Sequence, residues 1–517
     1  MADYRNIVNI VNFLRGYEND GTDLVESIRQ NVYLLNKYEL KSTFLIQYDV
    51  FNSEEMMSLI KNAGPLFELG CWLEIVEPLV VDAGLRWRGR EPWDFHANVA
   101  FLMGYTISER KRIIDTYMAR FKREFGTYPK AAGAWMIDSV SLEYLYEKYG
   151  IRAACICKEQ YGTDGYNLWG GYYNHAYYPS KYNMICPAQT RENQIDLPVF
   201  RMLGTDPVHQ YDSGLISADG KINPAKKQDV ITIEPVYPQY GGNPQWVDWF
   251  LEQNTKGNQL CYSYVQIGQE NSFDWRRSGD GLKYQYPKVK QLAQEGKIEV
   301  EYLSESGKWF KENFTLSPVC AQPFCVDWST EDAKSFWYYS RFYRLNLYLK
   351  DGKIKIRDFH KYDEKYKERY YDGVEDKIYS TYDNLPIVDG YRFSREDFCA
   401  GGYFYDENGE EQVILGAEYS QCDKSVQKIT ARTASGELKF TASENKLEIK
   451  SDFGELKIKM SGTLQNVGYD LISEKEIVLT HNGYNYSLPL SKGKYDICDG
   501  ELTAFSIGGE VTFDFFE

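Results

Sequence analysis

Apolar runs alternate with amphipathic stretches along roughly the first 310 residues. The run at 7–14, IVNIVNFL, predicts a buried strand, and the stretch 23–37 repeats apolar residues at helical spacing. The same pattern predicts strands at 42–48, 67–76, 131–137, 151–157, 199–203, 230–236, 260–267 and 298–303, and helices at 54–62, 108–125 and 284–295. Strands that alternate with helices are typical of a parallel sheet or barrel.

The clearest unit of this pattern is the stretch 133–159, GAWMIDSVSLEYLYEKYGIRAACICKE. A buried strand ends at Asp138, which can cap the following helix, and Gly150 is placed to end that helix. Ligands of β/α proteins bind beyond the carboxyl ends of parallel strands, where Asp138, Lys158 and Glu159 would lie. The role of Asp138 is therefore the first one to explain.

The pattern changes after about residue 315. Short alternating segments, several of them separated by Asp-Gly or Asn-Gly turns, predict antiparallel strands. A chain of 517 residues is also too long for one ordinary core. We therefore expect an α/β fold of two domains: a distorted (β/α)7-type barrel over 1–310, and an antiparallel β-sandwich over 311–517.

Charge and composition narrow the classes of partner. The net charge is −16 without a long basic run, which argues against nucleic acid and anionic membrane surfaces as partners. No apolar run is long enough to span a bilayer, and the first residues lack the basic start of a signal peptide, so a cytoplasmic location is expected. The 44 Tyr, 26 Phe and 11 Trp favour either a carbohydrate-handling protein or large β-domains. The sequence leaves the oligomeric state open.

Six carboxylates follow predicted strands, and their positions suggest acid–base chemistry. They are Asp49, Glu74, Asp138, Glu159, Asp206 and Glu270. Glycoside hydrolysis uses two carboxyl groups about 5 to 9 Å apart, one as nucleophile or base and one as acid. Any single member of the set more often caps a helix, pairs with arginine or faces solvent. Taken together, the six favour at least two functional members.

Metal and nucleophile motifs are absent from the sequence. The five histidines form none of the patterns HxH, HxD, HxxxH or HExxH, so no metal site and no cofactor are predicted. There is no GxSxG motif and no phosphate-binding glycine loop.

Three short motifs resemble those of the glycoside hydrolase/deacetylase superfamily. The segment GAWMID, followed by a helix and YGI, is similar to the fourth-strand motif of that superfamily, in which family-38 α-mannosidases carry WQID and family-57 hydrolases carry WxxE. The acid of each motif is the nucleophile, so the resemblance implies that Asp138 is the nucleophile. SerThrPhe at 42–44 resembles the ATF of polysaccharide deacetylases, and PheGluLeuGly at 67–70 resembles their HEIG. The first 310 residues also resemble a bacterial family of such barrels with a β-rich C-terminal partner.

The chain departs from the metal-binding members of this superfamily. CysTrpLeuGluIleVal stands where the deacetylases carry HxxxH, and the first strand ends in AsnPheLeuArgGly without their Asp pair. The resemblance that remains is to the metal-free, family-57 style of site, and it implies a seven-stranded β/α barrel.

The candidate residues follow from these patterns. Asp206 is the first choice for the general acid because it ends a strand after Asp138, with Glu74 and Glu270 as alternatives. Aromatic side chains that can stack on sugar, or equally pack in the core, are Trp72, Trp135, Trp169, Tyr172, Tyr173 and Trp275. Residues expected to bind substrate through polar groups are Arg88, Lys158, Glu159, Gln189, Arg191 and Asn193.

The sequence supports three hypotheses of function. The first is a metal-independent retaining glycoside hydrolase, or a glucanotransferase, that acts on an oligosaccharide or polysaccharide. The second is a barrel that binds carbohydrate without catalysis, and the third is a metal-dependent polysaccharide deacetylase with unusual ligands.

Overall fold

The computed structural model describes residues 4–18, 20–215, 228–329, 332–421 and 425–515. The first part of the chain alternates strands and helices as predicted. Its elements are β1 (Asn6–Leu14), α1 (Leu24–Lys37), β2 (Ser42–Ile46), α2 (Glu54–Lys61), β3 (Phe67–Trp72), α3 (Glu77–Asp82), α4 (Ala97–Ala100), α5 (Ile107–Phe125), β4 (Ala131–Gly133), α6 (Ser139–Tyr149), β5 (Ala153–Ile156), β6 (Gln160–Thr163), β7 (Tyr166–Leu168), β8 (Pro179–Ser180), β9 (Asn183–Pro187), β10 (Val199–Arg201), α7 (Pro244–Thr255), β11 (Ser263–Ile267), α8 (Trp275–Gln294), β12 (Glu299–Glu301) and α9 (Leu303–Asn313).

Seven of these strands form a parallel, nearly closed barrel. Their order is β10, β5, β4, β3, β2, β1 and β11, and β12 pairs beside β1. The two ends of the sheet meet where the amide N–H of Gly204, just after β10, donates to the carbonyl oxygen of Gln266 in β11, at 3.2 Å. The predicted seven-stranded β/α barrel is confirmed.

Strand β1 pairs with β2, β11 and β12 and is buried along nearly its whole length. Two asparagines interrupt its apolar run, and both side chains bond to neighbouring elements. Asn9 donates to Ser306 Oγ at 2.9 Å, and Asn12 donates to Ser42 Oγ at 3.0 Å. Buried amides need such partners, so these polar positions fix the strand against β2 and α9.

The predicted strand 230–236 is wrong. The segment forms only one isolated bridge, from Thr232 to Thr205, and lies antiparallel to the chain that leaves β10. Pro235 lacks the N–H that a longer ladder would need. The segment covers the mouth of the barrel near the gap between β10 and β11, and this placement brings Glu234 to the mouth.

The rest of the described chain is antiparallel β-structure. Its strands are β13 (Cys320–Phe324), β14 (Lys334–Tyr339), β15 (Tyr343–Lys350), β16 (Lys353–Lys361), β17 (Leu385–Asp389), β18 (Gly401–Tyr405), β19 (Ile414–Gln421), β20 (Gln427–Thr433), β21 (Glu437–Ser443), β22 (Lys446–Ser451), β23 (Lys457–Ser461), β24 (Gly468–Ser473), β25 (Glu476–His481), β26 (Tyr484–Lys492), β27 (Lys494–Cys498), β28 (Glu501–Phe505) and β29 (Glu510–Asp514).

These strands form two packed antiparallel sheets. One runs from β13 through β14, β15, β16, β18, β23 and β28 to β27, with β17 beside β16. The other runs from β19 through β20, β21, β22, β29, β26 and β25 to β24. Phe404 of the first sheet packs edge-on against Phe440 of the second, at 5.2 Å between ring centroids, within one shared core. The predicted β-sandwich after the barrel is confirmed. In the described residues, no helix is long and apolar enough to cross a bilayer.

A glycine after β11 allows the barrel to close tightly. Gly268 has φ +140°, and a Cβ at this position would overlap the carbonyl oxygen of Val11 in β1. We expect Gly268→Ala to lower the free energy of unfolding by about 3 kcal/mol, from overlap and backbone strain together. Urea denaturation measures this. Gly483→Ala is the matched control, because Gly483 also has positive φ (+77°) but has open space around it, so about 1 kcal/mol is expected there. Equal losses in the two variants would contradict the close approach.

Candidate active site at the barrel mouth

A guanidinium surrounded by carboxylates lies at the mouth of the barrel. Arg15 follows β1 and is 5% exposed. Its Nη2 atom lies 3.2 Å from Glu74 Oε2 and 3.3 Å from Glu270 Oε2, and its Nη1 atom lies 2.8 Å from Glu18 Oε1. The ring of Trp93 covers the guanidinium at 4.4 Å. Arg15 therefore brings together the acids that follow β3 and β11, two of the predicted catalytic residues.

Glu74 is held from several sides. Besides Arg15, it accepts hydrogen bonds from Gln47 Nε2 at 3.1 Å, Trp72 Nε1 at 3.1 Å and Trp135 Nε1 at 3.2 Å. The two indoles pack edge to face, at 5.1 Å between their centroids. Four nitrogen donors suit a carboxylate anion, which only accepts hydrogen bonds. The side chains of Trp72 and Trp135, expected either to stack on sugar or to pack in the core, thus orient Glu74.

Glu270 sits in a different environment from Glu74. It is 7% exposed, and its Oε2 atom makes no hydrogen bond with the described residues. Burial raises the pKa of Glu270 to about 7; Arg15 opposes this shift and Glu74 adds to it. The raised pKa lets Glu270 keep its proton near neutral pH, as acid catalysis requires.

Glu234 is a third buried acid at the mouth, and sequence reasoning missed it. It is 3% exposed and accepts from Gln269 Nε2 at 3.4 Å. Burial raises the pKa of Glu234 well above its usual value, and the nearby charge of Glu270 adds to that shift. The sequence signal for Glu234 was an acid inside the apolar run ITIEP, and that run was interpreted as a strand.

The residues at the mouth do not suit a metal ion. Within the described ranges, His, Cys, Asp and Glu side chains form no group of three or more that could hold one. The positive charge that a cation would bring to Glu74 and Glu270 is already supplied by the guanidinium of Arg15. A metal ion there would be repelled by this fixed positive charge.

Asp138 lies elsewhere and has another set of contacts. It is fully buried and caps α6, because its Oδ1 accepts from the amide of Ser141 at 3.0 Å and its Oδ2 accepts from Ser141 Oγ at 2.7 Å. Its Oδ1 is also 3.0 Å from Nη1 of the buried Arg110. The predicted helix cap is confirmed. The helix cap and the ion pair with Arg110 together bind both carboxylate oxygens of Asp138, the residue predicted as the nucleophile.

Asp206 is buried in a third place. Its Oδ1 accepts from the amide of Val208 at 2.8 Å, and its Oδ2 makes no hydrogen bond with the described residues. Burial raises the pKa of Asp206 to about 6, opposed by His209, which itself pairs with Asp327 at 2.7 Å. No ion pair or hydrogen bond in the described chain joins Asp206 to Arg15.

Several candidate sugar-binding residues lie between the barrel and the sandwich. Glu159 pairs with Arg344 at 2.6 Å, and Arg344 pairs in turn with Asp358 at 2.7 Å. Trp169 donates to Asp358 at 3.3 Å. Tyr172 and Tyr173 stack on aromatic rings of β14, and Lys158 contacts Asn174 beside Tyr173. Burial lowers the pKa of Lys158 to about 7.

The remaining predicted binding residues are distributed over the surface and over loop contacts. Gln189 and Asn193 bind the loop after β16, through the carbonyl of Tyr362 and the carboxylate of Glu364. Arg191 forms an exposed pair with Asp196 at 2.7 Å. Exposed Arg88 donates to the carbonyl of Gly104 at 2.6 Å. Half-buried Trp275 begins α8 and lines a small cavity beside Glu270.

Comparison with known proteins supports the fold. No family model matches the chain, and no curated protein matches it. A solved structure named "putative glycoside hydrolase/deacetylase" from Parabacteroides distasonis is similar over 73% of this chain and 88% of its own, with a TM-score of 0.54 and 14% identity. A "putative polysaccharide deacetylase" from Mycobacterium smegmatis aligns over 60% of this chain and 91% of its own, with a TM-score of 0.36 and 11% identity.

The Asp138–Arg110 pair can be tested through stability. We expect Asp138→Asn to lower the free energy of unfolding by about 3 kcal/mol, since it leaves a buried guanidinium without its charge partner. Asp280→Asn is the control: Asp280 pairs with Lys283 on the protein surface, and a loss of at most about 1 kcal/mol is expected. Chemical denaturation at pH 7 compares the two. An Asp138→Asn protein with wild-type stability would show that the pair does not stabilise the fold.

Proposed function

We propose that this protein is a carbohydrate-active hydrolase, a glycoside hydrolase, with its active site around Arg15. Glu74 is the carboxylate partner and Glu270 the general acid. The observation that carries the proposal is that Glu74 and Glu270 each place an oxygen within 3.3 Å of the same arginine nitrogen. The two oxygens are therefore at most about twice that distance apart, which is compatible with a retaining pair separated by about 5 Å.

The proposed reaction has two steps. Glu270 donates its proton to the glycosidic oxygen while an oxygen of Glu74 attacks the anomeric carbon, so the bond to the leaving sugar breaks and a glycosyl ester forms. Glu270, now ionised, then takes a proton from water, and this water releases the sugar and regenerates Glu74. Arg15 stabilises whichever carboxylate is ionised, and the Trp72 and Trp135 indoles orient Glu74.

Two further observations support this function over simple binding. The charged groups at the mouth lie beyond the carboxyl ends of three different strands, where enzymes of barrel folds carry their catalytic residues. The structure from Parabacteroides distasonis, similar in fold, is named for glycoside hydrolysis and deacetylation. That name supports a carbohydrate substrate and leaves both reactions as candidates.

The roles of the two carboxylates can be tested by substitution. A panel of 4-nitrophenyl glycosides and unlabelled oligosaccharides first identifies a cleaved substrate. We then expect Glu74→Gln and Glu270→Gln each to lower kcat at least 100-fold, because each loses a nucleophile or a proton donor. Asp206→Asn is the matched control, a buried strand-end acid outside the Arg15 cluster, and it should keep kcat within about threefold. A folded, inactive Asp206→Asn enzyme beside an active Glu270→Gln enzyme would transfer the acid role to Asp206.

The pH dependence of the rate provides an independent test of Glu270. The acid must be protonated in the free enzyme, and burial raises the pKa of Glu270 to about 7. We therefore expect kcat/KM to fall as the pH rises above about 7, with a tenfold loss for each further pH unit. In Glu270→Gln, the residual kcat/KM should no longer show this fall at high pH, which is the basic limb of the profile. A limb that persists in this variant would mean that another group, such as Glu234, supplies the proton.

The deacetylase alternative makes a different prediction. It requires a bound metal, whereas the Arg15 cluster offers none of the usual ligand sets. Elemental analysis of purified protein, together with acetate release from N-acetylated chitooligosaccharides before and after chelation, separates the two. Stoichiometric metal with chelator-sensitive acetate release would replace the glycoside hydrolase proposal. Sugar binding without turnover of any substrate would favour the non-catalytic barrel.

A further inference from the structure

Two cysteines face each other where the barrel joins the sandwich. Cys261 lies two residues before β11, and Cys320 is the first residue of β13. Beside the two cysteines, an isolated antiparallel bridge pairs Leu260 with Ala321, and the amide of Leu260 donates to the carbonyl of Ala321 at 3.1 Å. This bridge connects a barrel segment directly to the first strand of the β-domain.

The register of the bridge places the two thiols together. In an antiparallel pair, residue numbers rise along one strand as they fall along the other. Next to the pair Leu260 and Ala321, the neighbouring residues on the two chains are therefore Cys261 and Cys320. The chain leaves the regular ladder at Cys261, because the amide of Tyr262 donates to the carbonyl of Leu260 at 3.0 Å. The Cys261 and Cys320 thiols are close enough to interact directly.

The backbone at Cys261 is unusual. Cys261 has φ +73°, a left-handed conformation that residues other than glycine seldom adopt. Strained positions of this kind persist when the surrounding structure imposes them, and they often mark functional sites. Here the left-handed residue carries one of the two neighbouring thiols.

We propose that Cys261 and Cys320 are a modification site, a thiol pair that oxidises to a disulfide joining the barrel to the β-domain. Both are thiols in the structure. Cys261 is half-buried and Cys320 is fully buried, so an oxidant from solution reaches Cys261 first. The bond would close the chain from 261 to 320 into a loop that contains β11, α8, β12 and α9.

The oxidation uses glutathione disulfide as its two-electron acceptor. The thiolate of Cys261 attacks one sulfur of glutathione disulfide, and the other glutathione leaves and takes up a proton. The thiolate of Cys320 then attacks the Cys261 sulfur of this mixed disulfide, and the second glutathione leaves and takes up a proton. The protein loses two electrons and two protons, and one glutathione disulfide becomes two glutathione thiols. Burial raises the pKa of Cys320 and so disfavours the thiolate that the second step needs.

The bond would act on the strand that presents the general acid. Strand β11 begins two residues after Cys261, and its far end leads to Gln269 and Glu270. A covalent tie at the near end fixes this strand to β13 of the β-domain. In the reduced protein, the local connection consists of the single bridge at Leu260 and the surrounding packing.

Mass spectrometry of the full chain tests the proposal. The protein is incubated with glutathione disulfide, free thiols are alkylated, and the protein is digested without reduction. We expect a glutathione adduct on Cys261 at early times, followed by a cross-linked peptide pair containing Cys261 and Cys320 and a mass loss of two hydrogens. The oxidised protein should melt about 5 °C higher than the reduced protein, as a long closed loop predicts.

Matched variants show whether the pair is specific. Cys261→Ser should abolish both the early adduct and the cross-link, and Cys498→Ser, at another half-buried thiol, should leave both unchanged. The wild-type digest decides the question even if Cys320→Ser fails to fold. A stable glutathione adduct on Cys261 that never closes, or a main cross-link between other cysteines such as Cys71 and Cys155, would overturn the proposal.

Discussion

One guanidinium balances the acids that the barrel gathers at its mouth. Parallel strands direct their carboxyl ends to the same edge, so the acids after β3 and β11 converge there, and the acid at residue 234 joins them from the covering segment. Several buried carboxylates cannot all be ionised in a medium of low polarity unless positive charge is supplied. Arg15 supplies it to Glu74 and Glu270 directly. Burial, together with negative charge that Arg15 does not balance, raises the pKa values of Glu270 and Glu234.

The second arrangement that shapes the molecule is the boundary between barrel and sandwich. Long segments after β5 form small hairpins against the β-domain, and their rings stack on those of β14. The Glu159, Arg344 and Asp358 chain lies in the middle of this contact with almost no exposure. Aromatic and charged residues that would suit a sugar groove on a lone barrel are therefore used to attach a second domain. The abundance of tyrosine serves both the β-domain and this contact.

Much of the fold was predictable because the spacing of apolar residues and the turn-forming dipeptides are local properties of the sequence. The alternation of strands and helices gave the barrel, and the Asp-Gly and Asn-Gly turns gave the antiparallel half. The site was predictable only in part. Glu74 and Glu270 follow predicted strands, and strand ends converge. Asp138 met the same criterion, yet its carboxylate caps α6 and pairs with Arg110. An acid at a strand end can face an arginine from a neighbouring helix, an arginine that follows another strand, or open space. The outcome depends on tertiary packing, which a single sequence does not encode locally.

The ionic chain between the two domains also constrains how the protein is made. Glu159 is synthesised 185 residues before its partner Arg344, and Asp358 follows later still. A ribosome that has delivered the whole barrel has delivered Arg201, 3.4 Å from Glu159 in the final structure, and has not yet delivered Arg344. The contact between barrel and sandwich therefore forms late in translation, when the second half of the chain is long enough to fold onto the barrel.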